Sequence, residues 1–314
     1  SLPIDQKELR ELQNKLEDTS EDLRGSRWSA ISKATSRSQF LVSNKKNQIL
    51  DSMPAENKEN ASNLLSNLKE ELDELGQIAN EKNKVSFLDV RRQSLKTIDD
   101  IESLLITKNF PYQIPSEYNN LPRLLGRANV EIKTSKGSMN AIIDGYNAPL
   151  TAGAFIDLSM KGFYDGLPIN RAEEFFILQT GDPKGETIGY IDPDNNELRR
   201  VPLEIRTSSL KDTLYGETFE DVGLYTETPV LPFATLGTLG WAHSDTDLND
   251  GSSQFFFFLY EAELNPAGRN LIDGRNAAFG YVIEGSEILN KLGVDDKIIS
   301  ITVLNGSENL KLKA

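Results

Sequence analysis

Cysteine is absent from this 314-residue chain and histidine occurs once, as His243. The first absence removes disulfides, thiolate metal sites and thiol nucleophiles. The second leaves a single imidazole, so neither a His-based zinc site nor a Ser-His-Asp triad is expected. No apolar run approaches the roughly 18 residues that a membrane span needs, so direct membrane insertion is not expected. Positive charge is in deficit: 34 Lys/Arg against 48 Asp/Glu leave a net charge of −14. That balance speaks against nucleic acid and against docking on an anionic membrane. The deficit is uneven, with 17 basic and 20 acidic residues in 1–120 but 17 and 28 in 121–314. What remains, 38% hydrophobic and 26% charged, is the composition of an ordinary globular protein of about two domains.

The first third carries helical periodicity. Asp5 with Glu8 three residues on predicts an N-terminal cap, followed by Leu9, Leu12 and Leu16. A second stretch from Thr19 or Ser20 carries Leu23, Trp28, Ile31, Phe40, Leu41, Ile49 and Leu50 up to Pro54. A third presents Leu64, Leu65, Leu68, Leu72, Leu75 and Ile78, and a fourth opens at Ser86 and carries Leu88, Leu95, Ile98, Ile101 and Leu105. Four amphipathic stripes predict an antiparallel helical bundle over residues 1–110. The 3-4-3 leucine spacing of the third lasts about two heptads, too short for a coiled coil.

"NFPYQIPSEYNNLP" reads as a proline-rich linker, placed at 111–127. Beyond it the period changes to two. "NVEIKT" and "MNAIIDGY" read as strands joined by a turn at Ser135–Ser138, and "PLTAGAFIDLSMKG" reads as a helix with Pro149 near its start and Gly162 past its end. "FFILQT", "SQFFFF", "AAFGYVIEG" and "KIISITVL" add short strands, the mark of a closed antiparallel barrel. In "GSSQFFFFLY" alternation sends Phe255 and Phe257 to one face and Phe256 and Phe258 to the other. "DTDLNDG" has acidic spacing suited to calcium at Asp245, Asp247 and Asn249, but Asp250 stands at the glycine position and Phe256 at the bidentate Glu position, so it reads as a turn and no metal site is expected.

"APLTAGAFIDLSMKGFYDGLPINR", "FFILQTGDP", "GSSQFFFF" and "IDGRNAAFGYVIEG" follow one another in the order seen in cyclophilins, the barrel-shaped peptidyl-prolyl isomerases. Residues 128–314 resemble that family. The resemblance implies a multidomain α + β protein, a helical bundle followed by an eight-stranded cyclophilin-like antiparallel β-barrel with an apolar pocket on its outer surface. It implies no cofactor: rotation about an Xaa–Pro bond needs only a guanidinium that favours the twisted amide, whose nitrogen regains a lone pair, over either planar form. By resemblance Arg171 is that guanidinium. Phe176, Ile177 and Phe256 wall the prolyl pocket, Gln179 orients the substrate backbone, and Ala242, His243, Leu271, Ile272 and Asn276 complete the binding residues.

Two positions depart from the family pattern: Leu271 and Asn276 stand where Trp and His are common. Ile177 replaces a usual Met, and His243 a usual Asn. Residues 184–236 exceed the family core and predict inserted loops that border or cover the pocket. The helical leader with an acidic barrel is similar to the large cyclophilin type of the plant thylakoid lumen. That likeness implies a lumenal location, a role in photosystem II assembly, and client proteins among the lumenal loops of photosystem II subunits. Two functions are open at this point. One is a binding and assembly factor with weak or no turnover; the other is an active isomerase using Arg171. A packed contact between bundle and barrel, restraining the site, is also expected from the short linker.

Overall fold

The computed structural model describes residues 2–106, 109–186, 188–259 and 272–313. They fall into two compact units that divide between Asn109 and Phe110.

The first unit is helical. Its long helices are α1 (Lys7–Glu17), α3 (Trp28–Asn44), α5 (Lys58–Glu81) and α6 (Lys84–Ser103), with short α2 (Thr19–Arg24) and α4 (Lys46–Asp51) between them. Neighbours α1–α3, α3–α5, α5–α6 and α6–α1 close a ring. Leu9, Leu12, Leu16, Ile31, Leu65, Leu68, Leu72, Leu75 and Ile101 point into it and are fully buried, so the leucine row of α5 serves intramolecular packing. Two caps lie away from their expected positions. Gln6, not Asp5, accepts the N–H of Leu9 at 2.7 Å. Asn83, not Ser86, caps α6 by accepting the N–H of Ser86. The chemistry is the same, a side-chain oxygen on the third free N–H of the first turn. Phe40 lies outside the core, 45% exposed, with the Arg37 guanidinium 5.2 Å over its ring.

The second unit is built on eight antiparallel strands: β1 (Arg127–Thr134), β2 (Gly137–Asp144), β3 (Ile169–Glu173), β4 (Ile177–Thr180), β5 (Thr238–Trp241), β6 (Phe255–Phe258), β7 (Ala278–Glu284) and β8 (Ile298–Asn305). Their order in the sheet is β8-β1-β2-β7-β5-β6-β4-β3. The sheet curls until its edges meet. Ile298 N–H donates to Leu167 O and Ile169 N–H to Asp296 O, each at 2.9 Å, beside a bridge between Pro168 and Lys297. Helix α7 (Pro149–Met160) starts at Pro149, and Gly162, at φ 68°, follows its end as expected. Phe155 of α7 reaches the interior, where its ring lies 5.1 Å from both Phe255 and Phe279 and 5.4 Å from Tyr164.

The proline-rich segment expected as a linker lies against this unit. Phe110 stacks on Tyr146 at 5.9 Å, Tyr112 lies under the Arg206 guanidinium, and Arg123–Leu124 pairs with Leu310–Lys311. Residues 184–236 form two short hairpins, Ile191–Asp192 with Glu197–Leu198 and Glu204–Ile205 with Leu214–Tyr215. Both are anchored to α7 by buried polar groups. Arg199 donates to Asp157 Oδ2 at 2.6 Å, and Glu204 Oε1 accepts the N–H of Thr151 in the first turn of α7 at 2.6 Å.

Glu204 is completely buried and its second oxygen has no hydrogen-bond partner. Burial outweighs the N–H groups at the helix start, which favour the anion, and pushes its carboxyl up to about 7. Burial, reinforced by the Glu204 charge, also raises the Tyr215 phenol. A carboxyl less acidic when folded than when unfolded lowers stability as pH climbs from the unfolded value toward the folded one, because the unfolded chain ionises first. Between about pH 4.5 and 7 the sheet unit should therefore lose on the order of 3 kcal/mol from this group alone. Glu204→Gln keeps the acceptor for Thr151 and should flatten that part of the profile. Urea midpoints measured across this range for the two proteins test it: parallel profiles would refute the assignment.

Candidate functional site

The outer face of the sheet carries a second apolar cluster, separate from the interior core. Ile177, Phe233, Phe256, Phe258 and Ala278 form it, with Phe176, Leu231, Ala242 and Ile272 packed around them. Strand alternation explains the division: Phe255 and Phe257 enter the interior core while Phe256 and Phe258 stay outside.

Register places the site in a row. Arg171 of β3 pairs with Gln179 of β4, Gln179 with Phe256 of β6, and Phe256 with Gly240 of β5. The next row holds Glu173, Ile177 and Phe258. Strands lie about 4.8 Å apart, so the guanidinium-bearing residue and the Phe256 ring spring from backbones about 10 Å apart on one face. A bulge makes this possible. Ile169 and Arg171 are two apart and would share a face, yet Ile169 is in the interior core and Arg171 is outside. Register shifts between them, opposite Thr180 and Gln179, leaving Asn170 as the extra residue that turns Arg171 outward.

Polar contacts fix the row. Gln179 Nε2 donates to Gln254 Oε1 at 2.8 Å, and Gln254 Nε2 in turn donates to Asp182 Oδ1 at 3.3 Å, so Gln179 is turned with its own oxygen free of that bond. Arg171 is half exposed, and its Nε and Nη2 donate to one oxygen of Glu173 at 2.7 and 2.6 Å. On the rim, Asn276 Nδ2 donates to Trp241 O at 3.2 Å. The two ring nitrogens of His243 each lie 2.8 Å from a backbone carbonyl, those of Ser244 and Arg275. A neutral imidazole donates to one of these only; an imidazolium donates to both. Both residues thus tie the β5 end to the 272–276 turn through backbone carbonyls. Leu271 lies outside the described residues.

The apolar part of the row is closed. Phe256 is 5% exposed and Ile177 4%. Phe233, from the end of the inserted segment, stacks on Phe256 at 5.6 Å and 25°, meets Phe258 edge-on at 5.7 Å, and is itself buried. Its backbone N–H is held by Asp273 Oδ1 at 2.8 Å, across from the Ile272 turn. Gly240 lies beneath: a Cβ there would come within 2.2 Å of Phe256 Cζ and 2.7 Å of Phe233 Cε1. A cavity of about 460 Å³ lies to one side, between the 219–228 loop and Asp273–Arg275, and neither Phe256 nor Ile177 lines it. Among the described residues no group of His, Asp or Glu could hold a metal ion.

Phe233 and Gly240 carry no signal in the motifs, since they reach Phe256 from more distant segments, whereas Gln254 and Glu173 stand two residues from Phe256 and Arg171.

An isolated outer-face row of Arg, Gln and Phe on a curled eight-stranded sheet defines the class. Residues 129–302 match the family model described as cyclophilin type peptidyl-prolyl cis-trans isomerase/CLD, over more than half of the chain. The chain belongs to the cyclophilin family. Residues 1–106 match a second model, described as the PsbQ-like domain of CYP38-like peptidyl-prolyl cis-trans isomerases. The chain is similar to a putative thylakoid lumen peptidyl-prolyl cis-trans isomerase of Synechocystis, 44% identical over 310 residues, 99% of this chain and 82% of the relative. It is also similar to the chloroplastic isomerase CYP38 of Arabidopsis thaliana, 37% identical over 321 residues, 99% of this chain and 73% of the relative. The chloroplastic CYP37 of the same plant is 33% identical over 70% of this chain and 48% of its own length.

Proposed function

We propose that this chain captures proline-containing or extended segments of client proteins on the outer face of its sheet unit, with weak or no isomerase turnover. It acts in this reading as a folding and assembly factor of the thylakoid lumen, with lumenal loops of photosystem II subunits as clients. The thylakoid lumen and chloroplastic descriptions of its relatives and the PsbQ-like description of its helical region support that setting.

The observation that carries the reading is the closed row. A prolyl ring must stack on an open face of Phe256, and Phe256 is 5% exposed with Phe233 against it. Affinity is therefore reduced by the fraction of molecules in which that face opens. The Arg171 guanidinium is half exposed and already engaged by a carboxylate, so the field it offers a twisted prolyl amide is screened and partly cancelled.

The second reading, an isomerase that uses Arg171, is favoured by the intact Arg171–Gln179–Phe256 register. Exchange NMR on an Ala-Pro peptide separates the two, since uncatalysed exchange takes tens to hundreds of seconds. With the full chain, we expect peptide shifts that report binding and an acceleration of no more than about tenfold, against the 10²–10³ that one preorganised donor supplies elsewhere. Arg171→Ala should remove that acceleration and leave the peptide Kd within about twofold, as suits a half-exposed group. Strong acceleration that vanishes with Arg171 would instead establish the isomerase.

A further inference from the structure

The turn between β3 and β4 contradicts local rules in two ways. Glu173 and Ile177 are the last pair of this hairpin, and Phe176 N–H donates back to Glu173 O at 3.0 Å. At the centre of the connection, Phe175 adopts φ 61°, the left-handed region where a Cβ is disfavoured and glycine or asparagine is the ordinary occupant. Its side chain is 67% exposed. A bulky residue in this backbone conformation is strained, and burial of the ring does not offset the strain. Glycine would remove both costs.

The position explains what a phenylalanine gains there. The next residue, Phe176, packs against the outer apolar cluster that contains Phe256. Two residues back, Glu173 holds Arg171. Phe175 therefore stands at the rim of the row, on the end of the two strands that carry Arg171 and Gln179. Strain and an exposed aromatic together at the edge of a recognition row point to a group kept for contact with a ligand rather than for folding.

We propose that Phe175 is a specificity-determining residue. It selects client segments that carry an aromatic or branched aliphatic side chain on one flank of the proline, by covering that side chain while the proline approaches Phe256. The inference rests on the prolyl-site reading above. It adds the chemistry of the flanking residue, which the row of Arg171, Gln179 and Phe256 does not specify.

The test uses the full chain and Phe175→Gly. The probes are a heptapeptide with one proline among alanines and four relatives with phenylalanine at each of the two positions on either side. Affinities come from chemical-shift titration. Wild type should bind at least one phenylalanine peptide about tenfold more tightly than the all-alanine peptide, and Phe175→Gly should abolish that preference without changing affinity for the all-alanine peptide. The same substitution should raise the sheet unit's Tm, by about 2–4 °C for a domain of this size. A fall in Tm would show that Phe175 serves the fold, and an unchanged preference would show that another group selects the flank; either result overturns the inference while the prolyl site stands. If wild type binds none of the five peptides, the prolyl-site reading fails and this inference fails with it.

Discussion

Asp157→Ala should lower the stability of the sheet unit by about 3–5 kcal/mol, because it leaves a buried guanidinium without its main counter-charge. Asp157 on α7 and Arg199 in the inserted segment are 4% and 5% exposed and 2.6 Å apart. Lys161 also reaches Asp157 at 2.8 Å, but it is 44% exposed and can turn to water when the carboxylate goes. Arg199 cannot. It lies 4.5 Å over the Tyr190 ring, and Asp192 is 3.6 Å away, too far to replace a direct bond. Replacing the pair together, Asp157→Leu with Arg199→Met, should recover most of the loss, since a buried pair is often exchangeable for apolar groups of like volume. Urea unfolding followed through Trp241 reads the sheet unit, while Trp28 reports separately on the helical unit. A single-variant loss near 1 kcal/mol would mean that water reaches the pair and that the inserted segment is not anchored there.

Gly240→Val should close the outer-face row for good. Glycine here answers a steric need, not a conformational one: its backbone is not in the left-handed region, but the Phe256 ring lies across it and Phe233 crowds the same point. Phe256 is buried and both rings crowd the point a side chain here would occupy, so added methyls force a ring off its rotamer, at a cost of about 1–3 kcal/mol. Peptide affinity at the site should fall by more than tenfold, because the displaced ring is the surface on which a proline would stack. Gly240→Ala should do the same more mildly. Adding Phe233→Leu to Gly240→Ala should restore part of both losses by making room beside Phe256, a coupling expected only of groups in contact. If Gly240→Val binds the Ala-Pro peptide as well as wild type does, the row around Phe256 is not the recognition surface.

Much of the architecture follows from local pattern. The stripe Leu65, Leu68, Leu72 and Leu75 dictates a helix with one buried face whatever its neighbours are, and all four are buried. Alternation in Phe255–Phe258 likewise dictates which rings part company, and the two clusters divide the four as the period requires. Caps were legible as chemistry but not to the residue: Gln6 and Asn83 do what Asp5 and Ser86 were expected to do, because several polar residues near a helix start compete for the same N–H groups.

The candidate site was legible as a set of residues and not as a state. Ordered motifs point to Arg171, Gln179 and Phe256, and register places them in one row. Nothing in periodicity shows that Arg171 faces outward, since Ile169 two residues before it faces in; a bulge at Asn170 decides that, and a bulge is a property of two strands together. Nor does the spacing show that Phe233, twenty-three residues before Phe256, would lie against its ring, or that Gly240 would lie beneath both. The anchoring of the inserted segment through Arg199–Asp157 and Glu204–Thr151 is hidden for the same reason.

By itself, then, the sequence determined the helical unit, the curled sheet and the family, because each depends on which residues recur along the chain and on which face they fall. Tertiary structure alone decided that the outer-face row is closed by Phe233, that a bulge turns Arg171 outward, and that a strained Phe175 stands at the row's edge. These depend on long-range contacts, register and backbone angles, which periodicity does not encode.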